Sequence, residues 1–292
     1  MRKRSVSLIL LFLLGLIAAV PAWAAAQPGV RWLDPLTSEL VKVKINPAQP
    51  GQLLIQGQNL PAGQVLVEIR RGDDRAAYYF PVRNGAINGS FWLRFGSGQY
   101  YLTVYLPAGA NFLYQIEAEA RLEAIDLPDR RYLLPGSGVE SDHPVVRKLA
   151  QDLAGKNAGA RQKAYNIYRW VTRNIAYDAA RLSSQQLYGP GSGALATLAS
   201  RKGLCLDYAN LTVALLRAAS LPARVVVGQA YDRIWYEHAW AEVLLDGKWQ
   251  PLDPTWDAGY LAGNRFIPRA QTLYFSMSYS QFYRYHRAEE YR

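Results

Sequence analysis

The alternation of apolar and polar residues splits the chain into two halves of different period. Between residues 30 and 125 apolar positions recur at every second residue in short runs, of which Val41-Lys42-Val43-Lys44-Ile45 is the cleanest. Similar runs cover residues 65–70, 77–82, 87–95, 100–105 and about 112–122. Period two is the mark of a strand with one buried face. Asn84-Gly85 and Gly96-Ser97-Gly98 punctuate the series as turns. The pattern predicts six or seven strands and an antiparallel β-sandwich of immunoglobulin-like size. Its aromatic residues Tyr78, Tyr79, Trp92, Tyr100 and Tyr101 read as core and cross-strand packing rather than as a binding face.

Periodicity lapses across residues 126–142, where Leu127-Pro128-Asp129 and Leu134-Pro135-Gly136-Ser137-Gly138 mark a linker. From residue 144 the period changes to helical. Val145, Val146, Leu149, Ala150 and Leu153 share one face, and Ala164, Ile167, Tyr168, Val171 and Ile175 share another. Residues 194–200 form a short helical turn, and a longer helix runs from about Cys205 until Leu221-Pro222 stops it. That helix is apolar on most sides and belongs inside a domain. Gly203 provides a flexible joint before it. Residues 223–228 predict a strand, 229–236 a loop, and 237–245 a strand joined through Asp246-Gly247 to residues 248–253. The aromatic, basic tail after Tyr274 reads as a closing helix or a lid, with His286 a candidate site residue within it. The class is therefore α+β, with a sandwich at 30–125, a linker at 126–142 and a second domain at 143–292.

Composition changes this picture at the start of the chain. Arg2-Lys3-Arg4 precedes an apolar run over residues 7–20, and Ala22-Trp23-Ala24 fits a small-x-small cleavage site. Residues 1–24 read as a secretory signal peptide, which places the protein outside the cytoplasm, secreted or in the cell envelope. Left uncleaved, the segment is the one route to a membrane. The formal charge is +10; without Arg2, Lys3 and Arg4 it is 30 basic residues against 23 acidic, or +7. A cationic exported protein suits an anionic cell-wall polymer, whereas scattered basic residues argue against nucleic acid.

Cys205 is the only cysteine. An internal disulfide is excluded, and an odd thiol in an exported chain points to a free reactive group. With one cysteine and only His143, His238 and His286, a Cys/His zinc site is disfavoured, and nothing implies a cofactor. At the first turn of a helix a thiolate is stabilised by the free N–H groups and the dipole. The Asp246-Gly247 turn fixes a register in which Leu245 faces Lys248, Val243 faces Gln250 and Trp240 faces Asp253. His238 then lies on the same side as Asp253 and diagonal to it. Cys205, His238 and Asp253 supply the nucleophile, the base and the orienting acceptor of thiol acyl transfer.

The blocks Gly203-Leu204-Cys205-Leu206-Asp207-Tyr208-Ala209, His238-Ala239-Trp240-Ala241-Glu242-Val243 and Asp253-Pro254-Thr255-Trp256-Asp257 resemble the core of the transglutaminase-like superfamily, in the family's order. The resemblance covers residue 144 to the end. It implies a papain-type fold, with the cysteine helix packed on an antiparallel sheet. It also implies a protein or peptide substrate attacked at an amide or isopeptide bond. Hydrolysis is favoured, with cross-linking and an inactive surface-binding scaffold as the alternatives. The oxyanion would meet the Cys205 N–H and a second donor, for which Tyr177 is the candidate, beside Trp170 and Gln186. Asp207 reads as a helix N-terminal carboxylate.

Overall fold

The computed structural model describes residues 29–109, 113–184 and 192–292. Residues 1–24 and Gln186 lie outside them. The described residues of the first half form eight strands: β1 (Gly29–Asp34), β2 (Val41–Ile45), β3 (Gln52–Gly57), β4 (Gln64–Arg71), β5 (Asp74–Pro81), β6 (Ile87–Trp92), β7 (Gly98–Pro107) and β8 (Tyr114–Ile125). They build a five-stranded sheet in the order β1-β8-β7-β4-β5 and a three-stranded sheet in the order β2-β3-β6. Both sheets feed one core, with Leu53, Ile55 and Phe91 from the smaller and Val65, Val67 and Leu102 from the larger. The alternation missed β1 and β3. β1 is an edge strand, half-buried on both faces, and so carries no clean period. β3 contains the apolar run Leu53-Leu54-Ile55, in which Leu54 points outward and hides the alternation. Of the aromatic residues, Tyr78 and Tyr100 are buried and donate their hydroxyls to the Trp92 and Gly96 carbonyls, whereas Tyr79 and Tyr101 are exposed.

The connecting segment is held from both sides by buried arginines. Arg94 reaches the carbonyls of Arg131 and Pro135, and Arg217 donates to the carbonyls of Leu134 and Ala223. A segment without regular structure thus has its backbone acceptors satisfied by side chains.

The second half begins with α1 (Pro144–Ala154), α2 (Ala160–Asn174), β9 (Ala176–Tyr177), α3 (Ala179–Ser183), α4 (Ala194–Ser200), β10 (Lys202–Gly203) and α5 (Cys205–Ala218). Then come β11 (Ala223–Asp232), β12 (Ile234–Leu245), β13 (Lys248–Leu252), α6 (Pro254–Ala258), β14 (Gly259–Ala262) and β15 (Arg265–Pro268). The chain closes with α7 (Leu273–Ser276), α8 (Tyr279–Phe282) and β16 (His286–Tyr291). An antiparallel sheet runs in the order β13-β12-β11-β16. α5 packs on its strands β11 and β12 and is flanked by α1, α2 and α4. Every residue of α5 from Asp207 to Arg217 is buried, which is why its sequence is apolar on most sides.

The structure departs from the sequence pattern at two places. Residues 229–236 are not a loop: β11 and β12 stay paired out to Asp232 opposite Ile234, with Arg233 at positive φ in the tip. This end of the hairpin overhangs the core, so exposure erased the alternation that would have revealed it. The tail is not a closing helix either. Two short helical turns lead into β16, which pairs with β11. Tyr283 anchors the turns by donating to Glu242 Oε1 at 2.6 Å.

Gly228 makes this last pairing possible. A β-carbon there would lie 2.0 Å from the Arg287 carbonyl oxygen, and the β11–β16 register shifts at that point. Gly228→Ala is expected to force β16 outward and to cost about 1–3 kcal/mol of overpacking, measured by urea unfolding. A variant as stable as the parent would contradict this account.

Candidate active site

Three elements deliver side chains to one point, each for a local reason. α5 starts at Cys205 because Asp207, in its first turn, reaches back to accept the Leu204 N–H at 2.9 Å. The same carboxylate accepts the Gly193 N–H at 3.0 Å and pairs with Arg181. Asp207 therefore builds the helix start. Gly203 serves by closeness rather than by flexibility: it is buried, and a β-carbon on it would lie 2.6 Å from Asp207 Cβ. Cys205 is half-buried in the first turn of α5, where N–H groups have no intrahelical acceptor.

β12 delivers His238. The β12–β13 ladder has Leu245 opposite Lys248 and Val243 opposite Gln250, the register set by the Asp246-Gly247 turn. The ladder ends with Ala241 opposite Leu252, and Asp253 follows as the N-cap of α6. Its Oδ1 accepts the N–H groups of Thr255 at 3.0 Å and Trp256 at 3.1 Å. Its Oδ2 lies 2.8 Å from His238 Nε2. Asp253 thus caps a helix and orients an imidazole with different oxygens. Tyr168 of α2, fully buried, supports α6 from beneath by hydrogen bonds to the Asp253 carbonyl and to the Asp257 carboxylate.

With Nε2 committed to Asp253, the other ring nitrogen is available to the Cys205 thiol, whose charge bears on the imidazole. Burial alone would push the imidazolium down. The Asp253 carboxylate outweighs it and the Cys205 thiolate adds to it, so His238 is raised to about 10. Burial likewise pushes the Asp253 carboxyl up, but the His238 and His286 rings hold it well below the usual carboxylate range. Across neutral pH the arrangement favours an imidazolium beside a carboxylate.

Tyr177 stands beside this point. β9 pairs with β10 so that Tyr177 is opposite Gly203, two residues before the cysteine. Burial raises its hydroxyl well above the ordinary phenol range, and the Cys205 charge adds to that. Tyr236 of β12 was missed by the sequence reading. Burial pushes it up to about 12, it too feels Cys205, and its oxygen accepts from Trp256 Nε1 at 3.0 Å. Trp170 is elsewhere, half-buried on α2 beneath the Arg201 guanidinium. His286 is in the site. Its Nε2 lies 3.1 Å from Asp253 Oδ2 and the residue is 1% exposed. The sequence held no motif around it; its one signal was that it is among three histidines.

Polar atoms of His238, Asp253 and His286 lie within 4.8 Å of one another. The Nε2 atoms of His238 and His286 both make their hydrogen bond to Asp253 Oδ2, so the three side chains form one hydrogen-bonded network.

The opposite shifts of His238 and Asp253 make a prediction about stability. A raised histidine contributes stability that is complete below about pH 6.5 and lost as pH rises through about 10. A depressed aspartate contributes stability that is complete above about pH 4 and lost as pH falls through its folded value. The pair is therefore strongest between about pH 4 and 6.5. Asp253→Asn is expected to lower the thermal midpoint most near pH 5.5, with the deficit narrowing toward pH 10. A deficit equal at both pH values would argue against this ion pair.

Residues 147–254 match the family model of the transglutaminase-like superfamily, a stretch that contains Cys205, His238 and Asp253. Kyphoscoliosis peptidase of Mus musculus is 26% identical over 150 residues, covering 47% of this chain and 21% of that protein. An uncharacterized protein of Haemophilus influenzae is 30% identical over 102 residues, covering 34% of this chain and 26% of that one. The chain thus spans a minor part of the length of these relatives. Among solved structures, a candidate cysteine protease from Cytophaga hutchinsonii aligns with a TM-score of 0.39 at 20% identity, covering 77% of this chain and 70% of that one. A TGase aligns with a TM-score of 0.33 at 22% identity, covering 56% and 48%. Through residues 147–254, the chain carries a domain of the transglutaminase-like superfamily.

Proposed function

We propose that the protein is a cysteine-dependent acyl-transfer enzyme that hydrolyses amide or isopeptide bonds of a protein or peptide. The observation that carries this reading is the buried His238–Asp253 hydrogen bond of 2.8 Å, set against a cysteine in the first turn of a buried helix. The Cys205 thiolate attacks the carbonyl carbon, and the oxyanion forms against the Cys205 N–H and the Tyr177 hydroxyl. As the tetrahedral intermediate collapses, the C–N bond breaks and the His238 imidazolium gives its proton to the departing nitrogen. Water, losing a proton to the now neutral His238, attacks the thioester and frees the acid and the thiolate. Asp253 keeps the ring oriented and stabilises its charge throughout.

Hydrolysis is preferred over cross-linking because water reaches a half-exposed thiol without a dedicated amine site. The peptidase named among the relatives is in line with it. The basic start and apolar run of residues 1–20 support placing the protein outside the cytoplasm, where its net positive charge suits an anionic wall polymer.

Incubation with a peptide library, followed by mass spectrometry of Cys205, is expected to trap an acyl-enzyme. Cys205→Ala is expected to abolish turnover, and His238→Ala to lower it by about 10²–10⁴-fold. Turnover retained in Cys205→Ala would refute the mechanism. Product carrying an added amine in place of a free acid would move the assignment to cross-linking.

A further inference from the structure

Oδ2 of Asp253 is shared. His238 Nε2 approaches it at 2.8 Å and His286 Nε2 at 3.1 Å, while Oδ1 is occupied by two backbone N–H groups. We propose that His286 is a positioning residue of the site. Its Nε2–H takes part of the Asp253 carboxylate and so loosens that carboxylate's hold on the His238 imidazolium. This inference rests on the cysteine–imidazole reading above.

Hydrogen-bond accounting fixes where the His286 proton lies. Its Nδ1 is 3.1 Å from the Phe282 carbonyl oxygen, which can only accept. Its Nε2 faces a carboxylate oxygen that, ionised, can also only accept. A ring protonated at Nδ1 alone would set a lone pair against that carboxylate in a fully buried place, which is costly. The Nε2 position therefore carries a proton.

The surroundings leave the ring little freedom. It stacks on Phe282 with centroids 3.9 Å apart, and Trp256 and Trp240 close in at 4.8 and 5.0 Å. An apolar ring would fill this aromatic box without burying any polar atom, so packing alone does not account for a histidine. The titratable groups that face it are Asp253 at the start of α6, His238 on β12 and Tyr274 of α7, with ring centroids 6.1 Å apart in the last case. From β11 the residue opposite is Ala230, which brings no charge.

The chemical consequence concerns the general acid. An imidazolium held too firmly by its carboxylate is a poor proton donor to a leaving amine. Two donors on one oxygen each receive a weaker bond than one donor would. His286 thereby keeps His238 oriented while leaving its proton transferable.

Iodoacetamide tests this without a substrate. Labelling of Cys205, the only cysteine, reports the thiolate–imidazolium pair as a function of pH. In His286→Phe, which keeps a flat ring and removes the donor, the rise in labelling rate is expected about one pH unit lower than in the parent, because Asp253 turns wholly to His238. In His286→Gln, whose amide N–H can replace the Nε2 donor, the profile is expected to return toward the parent's. Near-ultraviolet circular dichroism checks folding. Should the phenylalanine variant not fold, His286→Asn takes its place: it retains a polar group near the Phe282 carbonyl, is too short to reach Asp253, and is expected to show the same downward shift. An unmoved profile overturns the proposal by making His286 passive packing. A profile moved upward, toward a free thiol near about 8.5, overturns it by making His286 a structural prop. A parent protein that lacks reactivity below about pH 8 defeats the cysteine–imidazole reading and this inference together, and is thereby distinguished from failure in the variants alone.

Discussion

A carboxylate with no exposed surface is among the costliest groups a protein can bury, and it is tolerated only when its lone pairs are matched by donors. Asp253 meets that condition with four: two backbone N–H groups on Oδ1 and two imidazole nitrogens on Oδ2. Each donor comes with an element attached. The backbone pair is the first turn of α6, His238 comes with the central strand β12, and His286 comes with the last strand, β16. The two oxygens of one carboxylate, each accepting a pair of contacts, thus join a helix start, the middle of a sheet and its edge.

The second constraint is steric. The site needs backbones to pass closer than side chains permit at two places. At Gly203 the approach to α5 runs against Asp207, the residue that fixes the helix start and so the position of Cys205. At Gly228 the edge strand carrying His286 lies against β11, with the Arg287 carbonyl where a β-carbon would be. Neither glycine sits at positive φ, so both are selected by space and not by backbone freedom. The aromatic residues around the network, Trp240, Trp256, Tyr274 and Phe282, exclude water from it and so strengthen every electrostatic contact inside.

Arginines play the corresponding part away from the site. Arg224 lies between the rings of Trp249 and Tyr291 and pairs with buried Glu242, which also receives the Tyr283 hydroxyl. That cluster ties α8 and β16 to the sheet, and so fixes the tail that carries His286. Arg94 and Arg217 do the same for the segment between the two halves by donating to its carbonyls. In each case a long side chain supplies order where the local sequence has no periodic pattern of its own.

What the sequence determined by itself was everything carried by short-range regularity. The period-two runs marked most strands of the first half, the apolar helix and its proline stop marked α5, and Asp246-Gly247 set a register that brings Asp253 toward His238. Those features depend on neighbours a few residues away, so they are written in the local pattern. What only the tertiary structure decided depends on contacts between remote residues. β1 at the sheet edge, the overhanging end of the β11–β12 hairpin, Tyr236 against the His238 ring and the arrival of His286 from 33 residues beyond Asp253 have no local signature. Their reason is physical. An edge strand, an exposed hairpin tip and a buried histidine among aromatics are each specified by the partner they meet, and that partner is named nowhere in their own stretch of chain.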